Sequence, residues 1–325
     1  MYLTRRALLC AAALAAGAHT AHAQVPADRF PSGPIKLVVN FPAGGNADLI
    51  GRVYARKLSE MLNVPVVVDN RGGAAGTLGA DAVAKAPADG QTLLITPYSV
   101  FTNRNPAIRT AYNALDDFTP VAPLTVAPLV LATSATSQVT DMRDLATFAQ
   151  GKRLSYGTYG PMTTTHIGQH RIARQLKAMD AVAVAYRGEA PMLADLLGGQ
   201  IQMGVLSLAT ARENEKAGKI RLLGLISPQR SEFMPQLPTL RELGFPGVDW
   251  TDGVVVFASS KVPASTLVPL QDSSRKVLLD DDMLRTLRAQ PNQPWLDMTP
   301  QALKAQMAAD TAFWDKAQAE MGSTQ

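Results

Sequence analysis

The chain has 325 residues, enough for two α/β domains of ordinary size, and its hydrophobic fraction of 46% supplies residues for their cores. The formal net charge of +4 falls to +2 when Arg5 and Arg6 are removed, which gives no support for nucleic-acid binding. The single cysteine, Cys10, lies near the N-terminus, in a segment that we expect to be cleaved. The mature chain is therefore predicted to have no disulfide, no thiolate metal site and no thiol catalysis.

Residues 1–23 have the features of a secretory signal peptide. Arg5 and Arg6 form the charged region, residues 7–18 form a short apolar run, and Ala21-His22-Ala23 fits a small-x-small cleavage site. We expect a mature chain that begins near Gln24. The paired arginines also fit a twin-arginine signal, so both export routes stay open. No later run approaches 18 apolar residues, and none is predicted to span a membrane.

Short β-branched strands alternate with helix-length segments after Pro34. The pattern predicts strands at 35–41, 64–68 and 92–96, with helices at 48–62 and 77–86 between them. This βαβαβ order is typical of a mostly parallel sheet with helices on both faces. Ligands of such sheets bind beyond the carboxyl ends of the strands.

A second α/β unit begins near Ala127, and the chain returns to the first unit near residues 250–254. The pattern predicts strands at 129–132, 155–160, 181–185, 201–206 and 221–226, helices at 142–150, 165–177, 191–197 and 210–216, and C-terminal helices at 265–279, 281–289 and 300–321. The first lobe is thus predicted to comprise 24–126 and 253–325, and the second 127–252. Two lobes joined by two crossings form a hinged cleft.

Two glycine-rich loops follow the first two predicted strands, at 41–48 and 70–79. A strand, a turn of small residues and a helix start place bare backbone N–H groups at a helix N-terminus, where a carboxylate or phosphate can bind. Neither G-x-G-x-x-G nor G-x-x-x-x-G-K-[ST] opens a helix here, which disfavours a nucleotide. The loops therefore favour a small anion.

Side chains beside these loops have supporting interpretations. Asp48 lies in a first helical turn and is predicted to cap free N–H groups, and Arg52 is predicted to support the loop from its helix. Among Thr163, Thr164 and Thr165, one is predicted to cap the next helix, which leaves the other hydroxyls for a ligand.

Two residues keep two interpretations each. His166 fits a structural hydrogen bond or a donor that faces the ligand. Arg187 fits a structural partner of Glu189 or Asp195, or a cation that binds a second ligand carboxylate.

Catalytic patterns are missing from the sequence. There is no G-x-S-x-G motif, and His166 and His170 lie four residues apart without the glutamate of a zinc helix. We predict no catalytic residue, no metal site and no cofactor. A secreted hydrolase that uses His166 is the alternative from a different class.

An ordered series of motifs runs from about Phe30 to Trp314. It comprises Pro42-Ala43-Gly44-Gly45 with Asp48 and Arg52, Asn70-Arg71 with Gly76 and Gly79, Asp117-Phe118-Thr119-Pro120, Tyr186-Arg187-Gly188, Leu196-Leu197-Gly198-Gly199-Gln200 and Leu237-Pro238-Thr239. The series resembles the Bug receptors, the extracytoplasmic solute-binding proteins of tripartite tricarboxylate transport systems. The resemblance implies an α/β fold of the type II periplasmic binding protein class, with two doubly wound mixed sheets and a hinged ligand cleft.

The resemblance also implies a ligand-binding set. Backbone donors from the first lobe would be Ala43, Gly44, Gly45, Ala75, Gly76 and Thr77, and the second lobe would contribute Thr158, Tyr159, Thr163, Thr164, Tyr186 and Arg187. Residues that adjoin these loops or end a strand complete the predicted set: Phe41, Tyr98, His166 and Ser207.

The chain departs from the family pattern in places that bear on the ligand. Leu206 and Ser207 stand where the family often has an acidic residue that could pair with a ligand ammonium, and this difference argues against an amino acid. Large side chains, Tyr159 and Met162, stand where small residues are usual, which favours an aromatic ligand body. We expect an aromatic dicarboxylate such as a phthalate isomer, with linear di- or tricarboxylates next.

The resulting prediction is a monomeric periplasmic solute-binding protein that captures a small organic carboxylate by hinge closure. The resemblance implies delivery to a membrane permease with a large and a small subunit. Presentation of the ligand to a membrane sensor kinase is the alternative.

Overall fold

The computed structural model describes residues 30–103, 108–250, 252–289 and 292–322; the predicted signal peptide lies outside them. Two mixed β-sheets, each with helices on both faces, make up the fold. This confirms the predicted α/β class. No helix in the described ranges is long and apolar enough to cross a membrane.

The first sheet has six strands in the order β11-β4-β10-β3-β1-β2. Strand β1 pairs in parallel with β2 and β3, whereas β10 runs antiparallel to β3 and β4. The strands are β1 (Ile35–Val39), β2 (Val66–Asn70), β3 (Thr92–Pro97), β4 (Phe118–Val126), β10 (Gly253–Ser259) and β11 (Gln293–Pro294).

Apolar side chains of β1 alternate between two cores. Ile35, Leu37 and Val39 pack into one cluster with Tyr54, and Val38 packs into another with Phe257. The helices that cover this sheet are α1 (Asn46–Leu62), α2 (Thr77–Ala84), α3 (Tyr98–Thr102), α8 (Ala264–Leu278) and α9 (Asp281–Ala289).

The second sheet has five strands in the order β7-β6-β8-β5-β9. Strand β6 pairs in parallel with β7 and β8, and β5 runs antiparallel to β8 and β9. The strands are β5 (Leu129–Ser134), β6 (Ser155–Thr158), β7 (Val182–Ala185), β8 (Met203–Ser207) and β9 (Ile220–Ile226); the helices are α4 (Met142–Gly151), α5 (Thr164–Gln175), α6 (Glu189–Leu197) and α7 (Leu208–Lys216).

Two adjacent crossings join the sheets. The chain passes from β4 to β5 through residues 127–128, and it returns after β9 into β10. The two crossings are hydrogen-bonded to each other, because Ala127 N donates to Asp252 O at 2.9 Å. This pair of neighbouring connections is the hinge that we refer to below.

The C-terminal helix α10 (Pro300–Gly322) contacts both halves of the molecule. Leu303 and Met307 pack into a core of the first sheet, whereas Trp314 and Ala317 pack into a core of the second. The helix is therefore a third connection between the sheets, which the sequence pattern assigned wholly to the first lobe. The lobe boundaries themselves stay a prediction.

Strand β4 was not among the predicted elements. It contains Pro120 and Pro123, and proline disfavours strand prediction because it cannot donate to the ladder. The register of β4 against β10 shifts twice, between Val254 and Val255 and again between Val256 and Phe257. These irregularities accommodate the prolines in a strand that has partners on both sides.

Candidate functional site

The first glycine loop leads from β1 into α1. Gly45 is the N-cap of α1, and no side chain caps the helix there. Gly44 N donates to Asp48 Oδ2 at 2.9 Å, so Asp48 caps the loop as predicted. The N-terminus of α1 thus has unpaired backbone donors, because the first turn of a helix has no internal acceptor for its N–H groups.

Asp48 also links the two glycine loops. Its carboxylate accepts from Arg52 Nε at 3.0 Å and from Asn70 Nδ2 at 3.0 Å, and Asn70 ends β2. Burial alone would raise the pKa of Asp48, but the bonds from Arg52, Gly44 N and Asn70 outweigh it and hold the pKa below its ordinary value. The predicted supporting role of Arg52 is confirmed.

The second glycine loop has an unusual backbone. Gly73, Ala74, Ala75 and Gly76 all have positive φ, at 127°, 47°, 53° and 88°. Two of these four residues are alanines, for which this region is strained, and such strain tends to occur at ligand sites. The loop therefore has a conformation that the rest of the fold must enforce.

The hydrogen bonds of the loops separate the predicted backbone donors into two groups. Gly76 N donates to Gly73 O, Thr77 N donates to Ala74 O, and Gly44 N is taken by Asp48. No acceptor for Ala43 N, Gly45 N or Ala75 N is found among the described residues. The latter three N–H groups are the ones available to an anion.

A cavity of about 60 Å³ lies between the second glycine loop and the start of α5. Its walls bring the predicted site residues Ala75, Gly76 and Thr77 of the first lobe to Thr163 and Thr164 of the second. Two asparagines that the prediction missed, Asn40 and Asn103, also line it. The cavity therefore lies where the lobes meet, at the carboxyl ends of β1 and β6.

The three threonines at the start of α5 have different roles. Thr163 caps the helix by accepting from His166 N at 3.3 Å, and Thr165 Oγ1 accepts from Tyr159 N at 3.1 Å. Thr164 is buried at the cavity wall, and its hydroxyl has no hydrogen-bond partner within the described ranges. Thr164 therefore has an uncommitted hydroxyl at the cavity wall.

A direct hydrogen bond joins the lobes beside the cavity. Asn103 Nδ2, after α3, donates to Met162 O at 2.8 Å in the loop before α5. Gln318 of α10 donates in turn to Asn103 Oδ1. The lobes are therefore held together on the side of the cleft where α10 crosses.

His166 has a structural role in this loop. Its Nδ1 accepts from Met162 N at 2.9 Å, and its ring stacks on Tyr156 with centroids 6.2 Å apart. Burial, together with the neighbouring His170, lowers the pKa of His166 to about 4. The neutral ring accepts the bond that holds Met162, which has a positive φ of 58°.

We predict that on acidification the free energy of unfolding falls less for His166→Asn than for the wild type. The folded pKa of about 4 lies below the ordinary value of 6.5, so the stability that neutral His166 contributes is lost as pH falls through this window. The expected difference is about 1–2 kcal/mol after allowance for partial exposure. Urea denaturation of both proteins from pH 4 to pH 7 measures it, and parallel profiles would contradict the assignment. Asn is chosen because its Oδ1 can accept from Met162 N.

Other predicted site residues lie within their own lobes. Tyr98 donates to Asp310 Oδ2 at 2.5 Å and packs edge-on against Trp295, and Tyr186 donates to Asp195 Oδ2 at 2.7 Å. Thr158 Oγ1 accepts from Gly160 N. We therefore leave these three side chains out of the ligand contacts proposed below.

Phe41 and Tyr159 flank the loops with their rings. Phe41 is half-buried, and a Cβ added at Gly76 would lie 3.2 Å from its ring. Tyr159 donates to Val205 O at 3.2 Å and packs partly into the second lobe. Burial, then the charges of Glu189 and Asp252, raises the pKa of Tyr159 well above its ordinary range. The tyrosine is therefore a neutral donor.

The structure corrects the argument from Leu206 and Ser207. Ser207 N and Ser207 Oγ both donate to the carboxylate of Glu189, each at 3.0 Å. Glu189 is the first residue of α6, after β7, and its side chain reaches the end of β8. A carboxylate therefore does lie at this edge, supplied by another element, and the argument against an amino acid ligand is wrong in its premise.

Arg187 is exposed just before α6. Both of its predicted structural partners have other hydrogen-bond donors, since Glu189 accepts from Ser207 and Asp195 accepts from Tyr186. No ion pair of Arg187 is found in the described part of the chain. This placement favours the interpretation in which Arg187 is the cation that binds a ligand carboxylate.

Comparisons with known proteins identify one family. Residues 50–319 match the family model of the tripartite tricarboxylate transporter family receptor. The chain is 34% identical to the UPF0065 protein in the tcbD-tcbE intergenic region of Pseudomonas sp. strain P51, with 96% of this chain and 93% of the relative covered. It is 32% identical to Protein BugT of Bordetella pertussis, with 93% of each chain covered.

Among solved structures, R. palustris Rpa4515 with adipate superimposes with a TM-score of 0.81 at 31% identity, covering 89% of this chain and 97% of the other. Family, relatives and fold are those of solute-binding receptors. The chain belongs to the tripartite tricarboxylate transporter receptor family, the Bug-type periplasmic solute-binding proteins.

Proposed function

We propose that this protein captures a small organic carboxylate in the cleft between its lobes and delivers it to a tripartite tricarboxylate-type permease. The observation that carries the proposal is that Ala75, with its free N–H group, and Thr164 face each other across one cavity. Backbone donors at a helix N-terminus favour a carboxylate, and charge-assisted hydrogen bonds strengthen when water is excluded.

The proposed mechanism is hinge closure. One carboxylate docks on Ala43 N, Gly45 N and Ala75 N, and the second lobe closes with Thr164 over it. A ligand favours the closed form only to the extent that it binds that form better. The bond between Asn103 and Met162 O adds to closure because it joins the lobes at the cavity.

The proposed ligand is a dicarboxylate, and an aromatic one such as a phthalate isomer is the first to test. Arg187 supports a second acidic group, since guanidinium binds carboxylate through two parallel hydrogen bonds. Tyr159 and Met162 support an aromatic body. Adipate, which is bound to the R. palustris relative, is the linear dicarboxylate to compare.

A thermal-shift and calorimetric screen of the mature chain tests the function. The panel contains phthalate isomers, adipate, succinate, tricarboxylates and amino acids. A ligand at a hundredfold excess over its Kd stabilises the folded state by about 2.7 kcal/mol. Stoichiometric binding with the ligand recovered unchanged supports a receptor. If no carboxylate of the panel binds, the proposal is contradicted. Turnover of an ester would favour the hydrolase.

We predict that Gly45→Pro weakens carboxylate binding by about 10–100-fold, because it removes one N–H that donates to a charged acceptor. Gly45 has a φ of −79°, close to the value that proline fixes, so the loop can keep its path. Isothermal titration calorimetry with the ligand found in the screen measures the change.

Gly45→Ala is the matched control. A Cβ at this position meets Pro42 O at 3.7 Å, an ordinary contact, and the N–H is retained. We expect near wild-type affinity. Equal affinities of the proline and alanine variants would show that Gly45 N is not a ligand donor.

Partner and export route follow as separate proposals. Residues 1–23 are proposed to direct export to the periplasm, where the closed receptor meets the permease. Deletion of the adjoining permease genes, if the gene neighbourhood contains them, should abolish uptake of the ligand. Continued uptake together with loss of a ligand-induced transcriptional response would instead support a sensor kinase as the partner.

A further inference from the structure

Asn40 has an unsatisfied acceptor at the wall of the ligand cavity. The residue directly follows β1, is 2% exposed and lines the cavity together with Gly76 and Thr164. Its Nδ2 donates to Gly76 O at 3.1 Å. Its Oδ1 is buried and has no hydrogen-bond partner within the described residues. Because Nδ2 must face a carbonyl, the orientation of the amide is set, and the free atom is an acceptor.

The fold makes room for this side chain. A Cβ at Gly76 would lie 2.6 Å from Asn40 Nδ2, and a Cβ at Gly79 would lie 2.7 Å from Asn40 Cβ and 2.8 Å from its Cα. Both glycines are therefore required where the second loop packs over Asn40. A buried acceptor without a donor is destabilising, and its persistence in a close-fitting site points to a role toward a ligand.

The hydrogen-bonding groups around Asn40 determine which ligand group can donate to its Oδ1. The free N–H group of Ala75 lines the same cavity and matches an oxygen of a carboxylate, whereas Asn40 Oδ1 can only accept. The same end of the ligand must therefore present an acidic group and, beside it, a hydrogen-bond donor.

We propose that Asn40 is a specificity-determining residue that accepts a hydrogen bond from a hydroxyl or amino group next to the ligand carboxylate. The inference rests on the proposed function and narrows its ligand class to 2-hydroxy or 2-amino carboxylates, including aromatic acids with a hydroxyl on the neighbouring ring carbon. An acid that lacks this donor would leave Asn40 Oδ1 buried and unpaired, and the site would therefore bind it less tightly.

Isothermal titration calorimetry of the wild-type mature chain with matched pairs tests this. The pairs are malate and succinate, aspartate and succinate, mandelate and phenylacetate, and 3-hydroxyphthalate and phthalate. In the pair that fits the cleft, we expect the donor-bearing acid to bind at least about tenfold more tightly. Asn40→Leu, which keeps the shape without the acceptor, should bring the two affinities within about threefold while the plain acid still binds.

The outcomes separate the two proposals. Equal binding of both members of every pair by the wild type overturns the role of Asn40 and leaves the carboxylate receptor standing. Asn40→Leu with an undiminished preference overturns it too. Failure of every acid to bind the wild type refutes the proposed function itself. If Asn40→Leu does not fold, as judged by circular dichroism, the wild-type pairs alone decide. If a bridging water satisfied Oδ1, the donor-bearing acid and the plain acid of each pair would bind equally well.

Discussion

Gly253→Ala is expected to lower the free energy of unfolding by about 3–5 kcal/mol or to prevent folding, a loss at the upper end for single substitutions. A Cβ at Gly253 would lie 1.8 Å from Thr125 O and 2.9 Å from Thr125 C. Both are backbone atoms of β4, the partner strand of β10, so no side chain can rotate away. The two strands would have to separate where Gly253 pairs with Val126, directly beside the hinge.

Gly151→Ala is the matched control for this substitution. Gly151 ends α4, and nothing lies within 4 Å of an added Cβ. Alanine in a compatible conformation is neutral or slightly stabilising, by up to about 1 kcal/mol. Urea denaturation of both variants and the wild type measures the difference. If Gly253→Ala were as stable as Gly151→Ala, the close approach of β4 and β10 at the hinge would be refuted.

Local pattern was sufficient to predict strands β1–β3 and β5–β9, the described helices longer than five residues and the glycine loops, but not strands β4 and β10. Strand β1 is a short apolar run, the helix that starts near Asp48 has a period of 3.6, and the helix predicted at 142–150 is α4, which Asp141 caps. The resemblance named Ala75, Gly76, Thr77, Thr163 and Thr164, which line the cavity, whereas the ligand-binding set as a whole stays a prediction. These features depend on residues close together in the sequence.

What the sequence could not predict depends on distant partners. Glu189 follows β7 and reaches Ser207 at the end of β8 across the intervening strand β6, and strand order is not a local property. Tyr98 donates to Asp310, 212 positions away, a contact that no local pattern indicates. Asn40 is a single polar residue after an apolar strand, and nothing in its neighbours indicates that Oδ1 stays unpaired.

The hinge contains an ionisable side chain, Asp252, whose hydrogen bond to Ser99 again joins residues that are distant in the sequence. Asp252 is buried between the lobes, and its Oδ1 accepts from Ser99 N at 3.1 Å and from Gly253 N at 2.8 Å. Burial raises the pKa of Asp252 to about 6, although the bonds from Ser99 and Gly253 act in the opposite direction. No cation pairs with it in the described structure. Tyr159 is close enough for the charge of Asp252 to raise its pKa.

Asp252→Asn is expected to stabilise the protein at pH 7 relative to the wild type by up to about 3 kcal/mol. The folded pKa of about 6 lies above the ordinary value of 3.8, so the folded state retains a proton that the unfolded state loses. The wild type therefore loses stability from this group as pH rises from about 4 to 6, a dependence that Asn lacks. The amide oxygen can still accept from Ser99 N and Gly253 N.

Urea denaturation at intervals from pH 4 to pH 8 measures the difference between Asp252→Asn and the wild type. That difference should grow with pH through the window and become constant above about pH 7. His166 acts with the opposite sign over an overlapping range, since its stabilising contribution is lost as pH falls. The pH dependences that the two groups give to the free energy of unfolding therefore partly cancel in the wild type. Substitution of one group reveals the pH dependence that the other contributes. A difference that did not vary with pH would show that Asp252 is ionised in the folded hinge throughout.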